Sequence, residues 1–118
     1  MEKQGVGFIF ANFIDFDMLY GHRRDPAGYA DALRQTDAWL NGFLPTLGAY
    51  DVLIMTADHG NDPTYQGTDH TREYVPLLVY QSGNPGKSLG IRTGFFDIAQ
   101  SLTTLFNIDS IPRGKTFI

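Results

Sequence analysis

Val52-Leu53-Ile54-Met55-Thr56-Ala57-Asp58-His59-Gly60 is the stretch on which the fold turns. Its first six residues are apolar and rich in β-formers, the pattern of a short buried strand, and a glycine-bounded acid-histidine pair follows at once. Asp58 and His59 therefore stand at a strand's carboxyl end, where open α/β sheets gather their ligands. Upstream, Asp25-Pro26 reads as a helix cap and first helical residue. Tyr29, Leu33, Thr36, Leu40, Phe43/Leu44 and Leu47 then recur at helical spacing up to Gly48, with Pro45 as a point of bending and Trp39 among the core residues. Further upstream, Val6 to Ile14 is almost continuously apolar, as in a strand covered on both faces of a parallel sheet, and Asp15 and Asp17 fall just past its end. Strand, helix and strand in that order predict a right-handed βαβ unit.

Downstream, Gly60 to Thr71 has the Gly, Asn, Asp, Pro and Thr content of an ordered loop. A third strand is expected over Tyr74 to Tyr80, with Pro76 marking an early, edge or bulged position. Gln81 to Gly90 reads as a turn-rich connection. Within it, Gly83-Asn84-Pro85-Gly86-Lys87-Ser88 lacks the spacing and the strand-loop-helix setting of a phosphate loop. A last helix is expected from Gly94 or Phe95 to Phe106, capped by Thr93, with Phe95, Ile98, Leu102 and Leu105/Phe106 as its apolar stripe. The tail Ile111 to Ile118 reads as an added extended segment. No repeat or linker interrupts the chain, so the expected class is α/β, a single domain over 1–118 with a mainly parallel sheet flanked by helices.

Composition narrows the function. The 118 residues carry a net charge of -4 with 9 Lys+Arg and no cysteine. Arg23-Arg24 is the only basic doublet, which argues against a nucleic-acid partner, since phosphate-backbone affinity needs clustered cations. Disulfides and thiolate ligands are excluded, in keeping with a cytoplasmic location. Gly5 to Ile14 lacks a strongly cationic start and a small-residue cleavage site, and it is too short to span a bilayer, so neither a signal peptide nor a membrane span is expected.

All three histidines sit beside aspartates: Asp17 to His22, Asp58-His59 and Asp69-His70. Carboxylate oxygen with imidazole nitrogen, and no thiol, is the ligand set of hydrolytic Zn, Mn or Fe centres. Each pair alone has a plainer reading: a solvated turn for Asp69-His70, a helix-entry loop for Asp17/His22, and a diverging strand-end pair for Asp58-His59. Together they favour a metal site, and two neighbouring ions would suit phosphoryl transfer. Arg23-Arg24 would neutralise a phosphate or, more simply, pair with Asp25. No residue stands as a nucleophile. Thr56, Thr64, Thr68 and Thr71 lack a helix-entry setting and are better read as hydrogen-bond donors around the ligands.

The run Asp15-Phe16-Asp17-Met18-Leu19-Tyr20-Gly21-His22-Arg23-Arg24-Asp25, with Thr56-Ala57-Asp58-His59-Gly60, Gly67-Thr68-Asp69-His70-Thr71-Arg72-Glu73 and Val75-Pro76, resembles the bacterial phosphopentomutase family of the alkaline phosphatase superfamily. The resemblance spans nearly the whole chain. It implies interconversion of ribose 1-phosphate and ribose 5-phosphate, and of the deoxyribose pair, through a phosphorylated enzyme with two manganese ions; magnesium, zinc or other divalent metals remain alternatives. It further implies that Asp17, His22 and His70 hold one ion while Asp58 and His59 contribute to the other. The family's first metal-binding aspartate, phospho-accepting threonine and cap domain have no match here. The chain is thus expected to be the C-terminal segment of the catalytic core, inactive by itself, and to form a homo-oligomer through exposed edges. The alternatives are a non-catalytic metal-binding or assembly module, or a phosphomonoesterase of the same superfamily.

Overall fold

The computed structural model describes residues 7–118. The chain divides into two compact units, Met1–Asn84 and Pro85–Ile118. In the first unit, a π-helical turn over Phe16–Gly21 leads into helix α1, Pro26–Phe43. The helix starts where the sequence predicts: the Asp25 carboxylate accepts the Gly28 N–H at 2.9 Å and Pro26 takes the first helical position. Such a cap contributes about 1 kcal/mol. Beyond Phe43 the chain tightens into one 3-10 turn, Leu44–Thr46, around Pro45. Trp39 stacks on Phe43 at 4.7 Å and receives the edge of Phe13 at 6.0 Å, and Phe16 meets Tyr29 edge-on at 5.3 Å. The Phe13–Trp39 pair ties the segment before the π-turn to α1, and the Phe16–Tyr29 pair ties the π-turn itself to the helix. They do not enclose it. No residue of α1 is fully buried, and Trp39, expected in the core, is 47% exposed.

Strand β1, Val52–Thr56, lies within the predicted run, and β2, Leu77–Gln81, begins three residues later than the expected third strand. Pro76, which has no N–H to give a ladder, stands just before it, and its carbonyl accepts the Thr56 hydroxyl at 2.8 Å. The two strands pair antiparallel, from Val52↔Gln81 to Thr56↔Leu77, and form the only sheet among the described residues. The mainly parallel sheet expected from the sequence is therefore not what these residues form. A parallel return needs a long crossover, usually a helix, whereas residues 57–76 form a loop that stays at one end of β1 and sends the chain straight back.

The predicted first strand is a second correction. Residues 7–14 form no regular element, and Phe8, Ile9, Phe10, Phe13 and Ile14 are all exposed; Val6 lies outside the described residues. A strand is stable only against a neighbour that takes up its N–H and C=O groups, and no described strand runs beside this one. The apolar pattern was legible; its partner was not.

In the second unit, helix α2 spans Phe96–Phe106. Thr93 is not its cap: the N-terminal flanking residue is Phe95, without a side-chain cap bond. The tail adds no strand. Instead it docks on α2 through polar hooks. The Asp97 carboxylate accepts the Lys115 N–H at 2.9 Å and the Arg92 guanidinium at 3.1 Å. The fully buried Ser101 hydroxyl donates to the Asp97 carbonyl at 2.8 Å and accepts the Phe117 N–H at 3.0 Å. Phe117 is then covered by Arg92, whose guanidinium lies 5.5 Å from the ring centroid.

The Lys115 N–H, followed by Arg92, holds the Asp97 carboxyl below the usual carboxylate range despite the opposing effect of burial. A depressed folded value means that the stabilisation is full above the unfolded pKa of about 3.9 and is lost as pH falls through the lower folded value. Acid titration followed by far-UV circular dichroism is expected to show this loss in the wild-type chain and to lack that component in Asp97→Asn; identical profiles would refute it. Ser101→Ala strands the Phe117 N–H and is expected to cost about 1–3 kcal/mol in denaturant unfolding.

Candidate metal centre

Asp17 and His22 are five residues apart, a spacing that an α-helix would place on different faces. The π-turn changes this. His22 N–H bonds to the Asp17 carbonyl at 2.9 Å, five residues back, so the widened turn sets one residue over the other. Asp25 N–H repeats the pattern on the Tyr20 carbonyl at 2.9 Å. The result is an Asp17 Oδ1 to His22 Nε2 distance of 3.3 Å.

The other half of the site comes from the loop between β1 and β2. Gly60 and Thr71 form an isolated antiparallel bridge, with Thr71 N–H on the Gly60 carbonyl at 3.0 Å. Each bridge residue directly follows a histidine. His59 and His70 are thereby brought ring on ring, with centroids 3.6 Å apart and planes inclined by 18°. The bridge is reinforced by the Thr71 hydroxyl, which accepts the Asp62 N–H at 2.8 Å and donates to Glu73 at 2.7 Å. Thr71 thus braces the loop through Glu73 and Asp62, and its hydroxyl donates to none of the ligand candidates.

Both halves meet at one oxygen. His70 Nε2 lies 3.4 Å and His59 Nε2 4.0 Å from Asp17 Oδ1, while His22 Nε2 and His70 Nε2 are 3.2 Å apart. Asp17, His59 and His70 each offer a ligand atom within 4.8 Å of the others. Asp58 stands apart: its side chain is 86% exposed, and its nearest approach to the group is 3.6 Å to His59 Nε2. Arg23 and Arg24 are exposed, and among the described residues neither joins an ion pair; Arg24 adopts a positive φ of 54° where the turn ends.

Ring orientation decides what this convergence can do. His22 Nδ1 faces the Thr68 carbonyl, and His59 Nδ1 faces the Gly60 carbonyl at 3.1 Å. A carbonyl only accepts, so in each neutral ring the proton sits on Nδ1 and the Nε2 lone pair faces Asp17. Two lone pairs and a carboxylate oxygen pointed together call for an electropositive partner; the chain itself offers the Asn61 amide and a proton on His70 Nε2, and a divalent cation would serve all of them at once. Donor atoms around one ion with ligands roughly 2.0–2.2 Å away lie roughly 3–3.5 Å apart. The 3.2, 3.3 and 3.4 Å separations among Asp17, His22 and His70 match this, and His59 at 4.0 Å from Asp17 is looser. The donor set fits a divalent metal.

Several contributors escaped the sequence. Asn61 donates its amide to Asp17 Oδ1. Tyr29, noted only as part of a helical stripe, has its phenol pushed above its ordinary pKa by burial first and then by the negative charges of Asp17 and Glu73. Glu73 packs against Gly60 so closely that a Cβ there would overlap its carboxylate and stand 2.9 Å from the Thr71 carbonyl. Gly60→Ala is expected to part the bridge and unstack His59 from His70, visible as a change in the histidine ring NMR shifts; unchanged shifts would contradict this role.

Comparison with known proteins agrees with the geometry. The family model described as "Metalloenzyme superfamily" matches residues 1–110. A phosphopentomutase of Shewanella sp. (strain W3-18-1) is 56% identical over 110 residues, covering 93% of this chain and 27% of the relative. Phosphopentomutases of Symbiobacterium thermophilum and Alkaliphilus oremlandii are 50% and 48% identical over 118 residues, covering 99% of this chain and 30% of each relative. The chain therefore spans less than a third of the length of the curated relatives it matches. With a family model over most of its length and a carboxylate-imidazole donor set at its centre, this chain belongs to the metalloenzyme superfamily.

Proposed function

We propose that this chain is the metal-ligating segment of a phosphopentomutase catalytic core, taking part in the interconversion of (deoxy)ribose 1-phosphate and (deoxy)ribose 5-phosphate. The observation that carries the metal reading is the convergence of imidazole Nε2 atoms on Asp17 Oδ1, with two ring tautomers set by backbone carbonyls. The pentose phosphate is supported by the relatives, which are named phosphopentomutases. Asp17, His22 and His70 hold one ion, and Asp58 and His59 serve a second, with manganese as the proposed metal. The 3.2–3.4 Å donor spacing of the first three supports grouping them, while His59 stays within reach of Asp17 and His70 as well. Bound divalent ions supply charge neutralisation on phosphoryl oxygens.

The chain's own residues supply orientation. The π-turn presents Asp17 and His22 together, the Gly60–Thr71 bridge fixes His59 against His70, and the outward Asp58 carboxylate remains free to turn toward an ion beside His59. No side chain here is assigned as the phosphate-accepting nucleophile, so turnover is expected to require further polypeptide of the kind the relatives possess. A cytoplasmic location is part of this reading, with which a chain free of cysteine is compatible. Among the described residues, no helix is long and apolar enough to cross a membrane.

Calorimetric titration with Mn2+ is expected to show binding that is lost in a His22→Ala/His70→Ala double variant. Binding should weaken in acid, because protons compete with the metal for the ligand nitrogens. A pH-independent affinity would overturn the imidazole assignment. Ribose 1-phosphate should be unchanged by the chain alone and converted when the chain is combined with the remainder of the Alkaliphilus relative, in a manner sensitive to His59→Ala. Hydrolysis of simple phosphate esters in that mixture, without pentose isomerisation, would favour a phosphomonoesterase instead; metal binding without any turnover would favour a non-catalytic module.

A further inference from the structure

Asn61 lies two residues beyond His59, yet its side chain reaches back onto the π-turn and donates to Asp17 Oδ1, the oxygen on which the imidazoles converge. Its backbone is held on both sides. Gly60 is pinned through the bridge to Thr71, and Asp62 N–H is taken by the Thr71 hydroxyl at 2.8 Å. The amide therefore approaches Asp17 from a fixed frame, not from a free loop.

Gly21 makes the approach possible. It is the only buried residue of the π-turn, and a Cβ built on it would overlap the Asn61 carboxamide. The missing side chain opens the slot that the amide fills. We propose that Asn61 is the positioning residue of this metal centre, selecting which Asp17 oxygen faces the imidazoles, and that Gly21 serves to admit it. This inference rests on the metal reading above.

The residue type suits the task. A free carboxylate turns about its last bond and offers either oxygen, so a fixed donor removes orientational freedom that metal binding would otherwise have to remove. A lysine or arginine would do the same while competing with the ion for the negative charge. A neutral amide orients Asp17 and leaves its charge in place.

The test uses the full 118-residue chain, titrated calorimetrically with Mn2+ and spectroscopically with Co2+, whose visible absorption reports ligand geometry. Asn61→Ala and Asn61→Leu, the latter near in volume but unable to donate, are expected to weaken Mn2+ binding about 10–100-fold and to alter the Co2+ spectrum. The thermal midpoint of the metal-free protein should change little. Gly21→Ala should displace the amide and reproduce the same Co2+ spectrum. In the Gly21→Ala/Asn61→Ala double variant the new methyl has its space back, so the loss should equal that of Asn61→Ala alone. Wild-type affinity and spectrum in both Asn61 variants, or additive losses in the double variant, would overturn the proposal while leaving the metal centre intact. Failure of the wild-type chain to bind either ion would instead remove the metal reading and this inference with it.

Discussion

The hydrogen bond from His22 N–H to the Asp17 carbonyl is the constraint from which the centre follows. By skipping five residues instead of four it widens one turn, and that single change of pitch puts a carboxylate and an imidazole on the same side of the backbone. The turn also leaves Gly21 facing inward, so the space occupied by Asn61 comes from the same local geometry. Ordinary helical winding through Phe16–Gly21 would separate His22 from Asp17 and leave that carboxylate with the loop histidines alone.

The loop half is organised by a different principle. Antiparallel pairing of β1 with β2 brings the ends of residues 57–76 together, and the Gly60–Thr71 bridge continues that direction for one more step. Two histidines distant in sequence become stacked neighbours because each precedes a bridge residue. The antiparallel return, which departs from the expected parallel sheet, is thus what delivers His59 and His70 to one place.

Local signals are legible in the sequence. Asp25-Pro26 marks the start of α1 because cap and proline act within a single turn, and β1 lies inside its apolar run. The acid-histidine pairs could be singled out because carboxylate and imidazole chemistry is written in residue type alone, and the structure gathers the three imidazoles around Asp17. What escaped were features decided elsewhere in the chain. The partner of a strand is non-local, so the direction of β1 and the irregular course of residues 7–14 could not be deduced from their own pattern. The π-turn resembled a loop because its five-residue spacing matches no regular template. Asn61 lay in a segment whose Gly, Asp and Pro content announces a turn, which conceals a side chain used for orientation. Ser101 and Asp97 were hidden for a related reason: within a helix read for its apolar stripe, they are buried for hydrogen bonds to the tail.

Among the described residues, Phe117 is the only buried hydrophobic side chain, while Phe8, Ile9, Phe10 and many other large apolar groups face solvent. Order here leans on directional bonds: the Asp97 and Ser101 hooks, the Gly60–Thr71 bridge and the Asn61 amide. The heat-capacity change of unfolding tracks the apolar surface newly exposed, and the many large apolar groups already facing solvent reduce that increment. The stability curve of this chain should therefore be flatter than that of a closed domain of the same length. That thermal signature belongs to a polypeptide whose apolar surface is still turned outward.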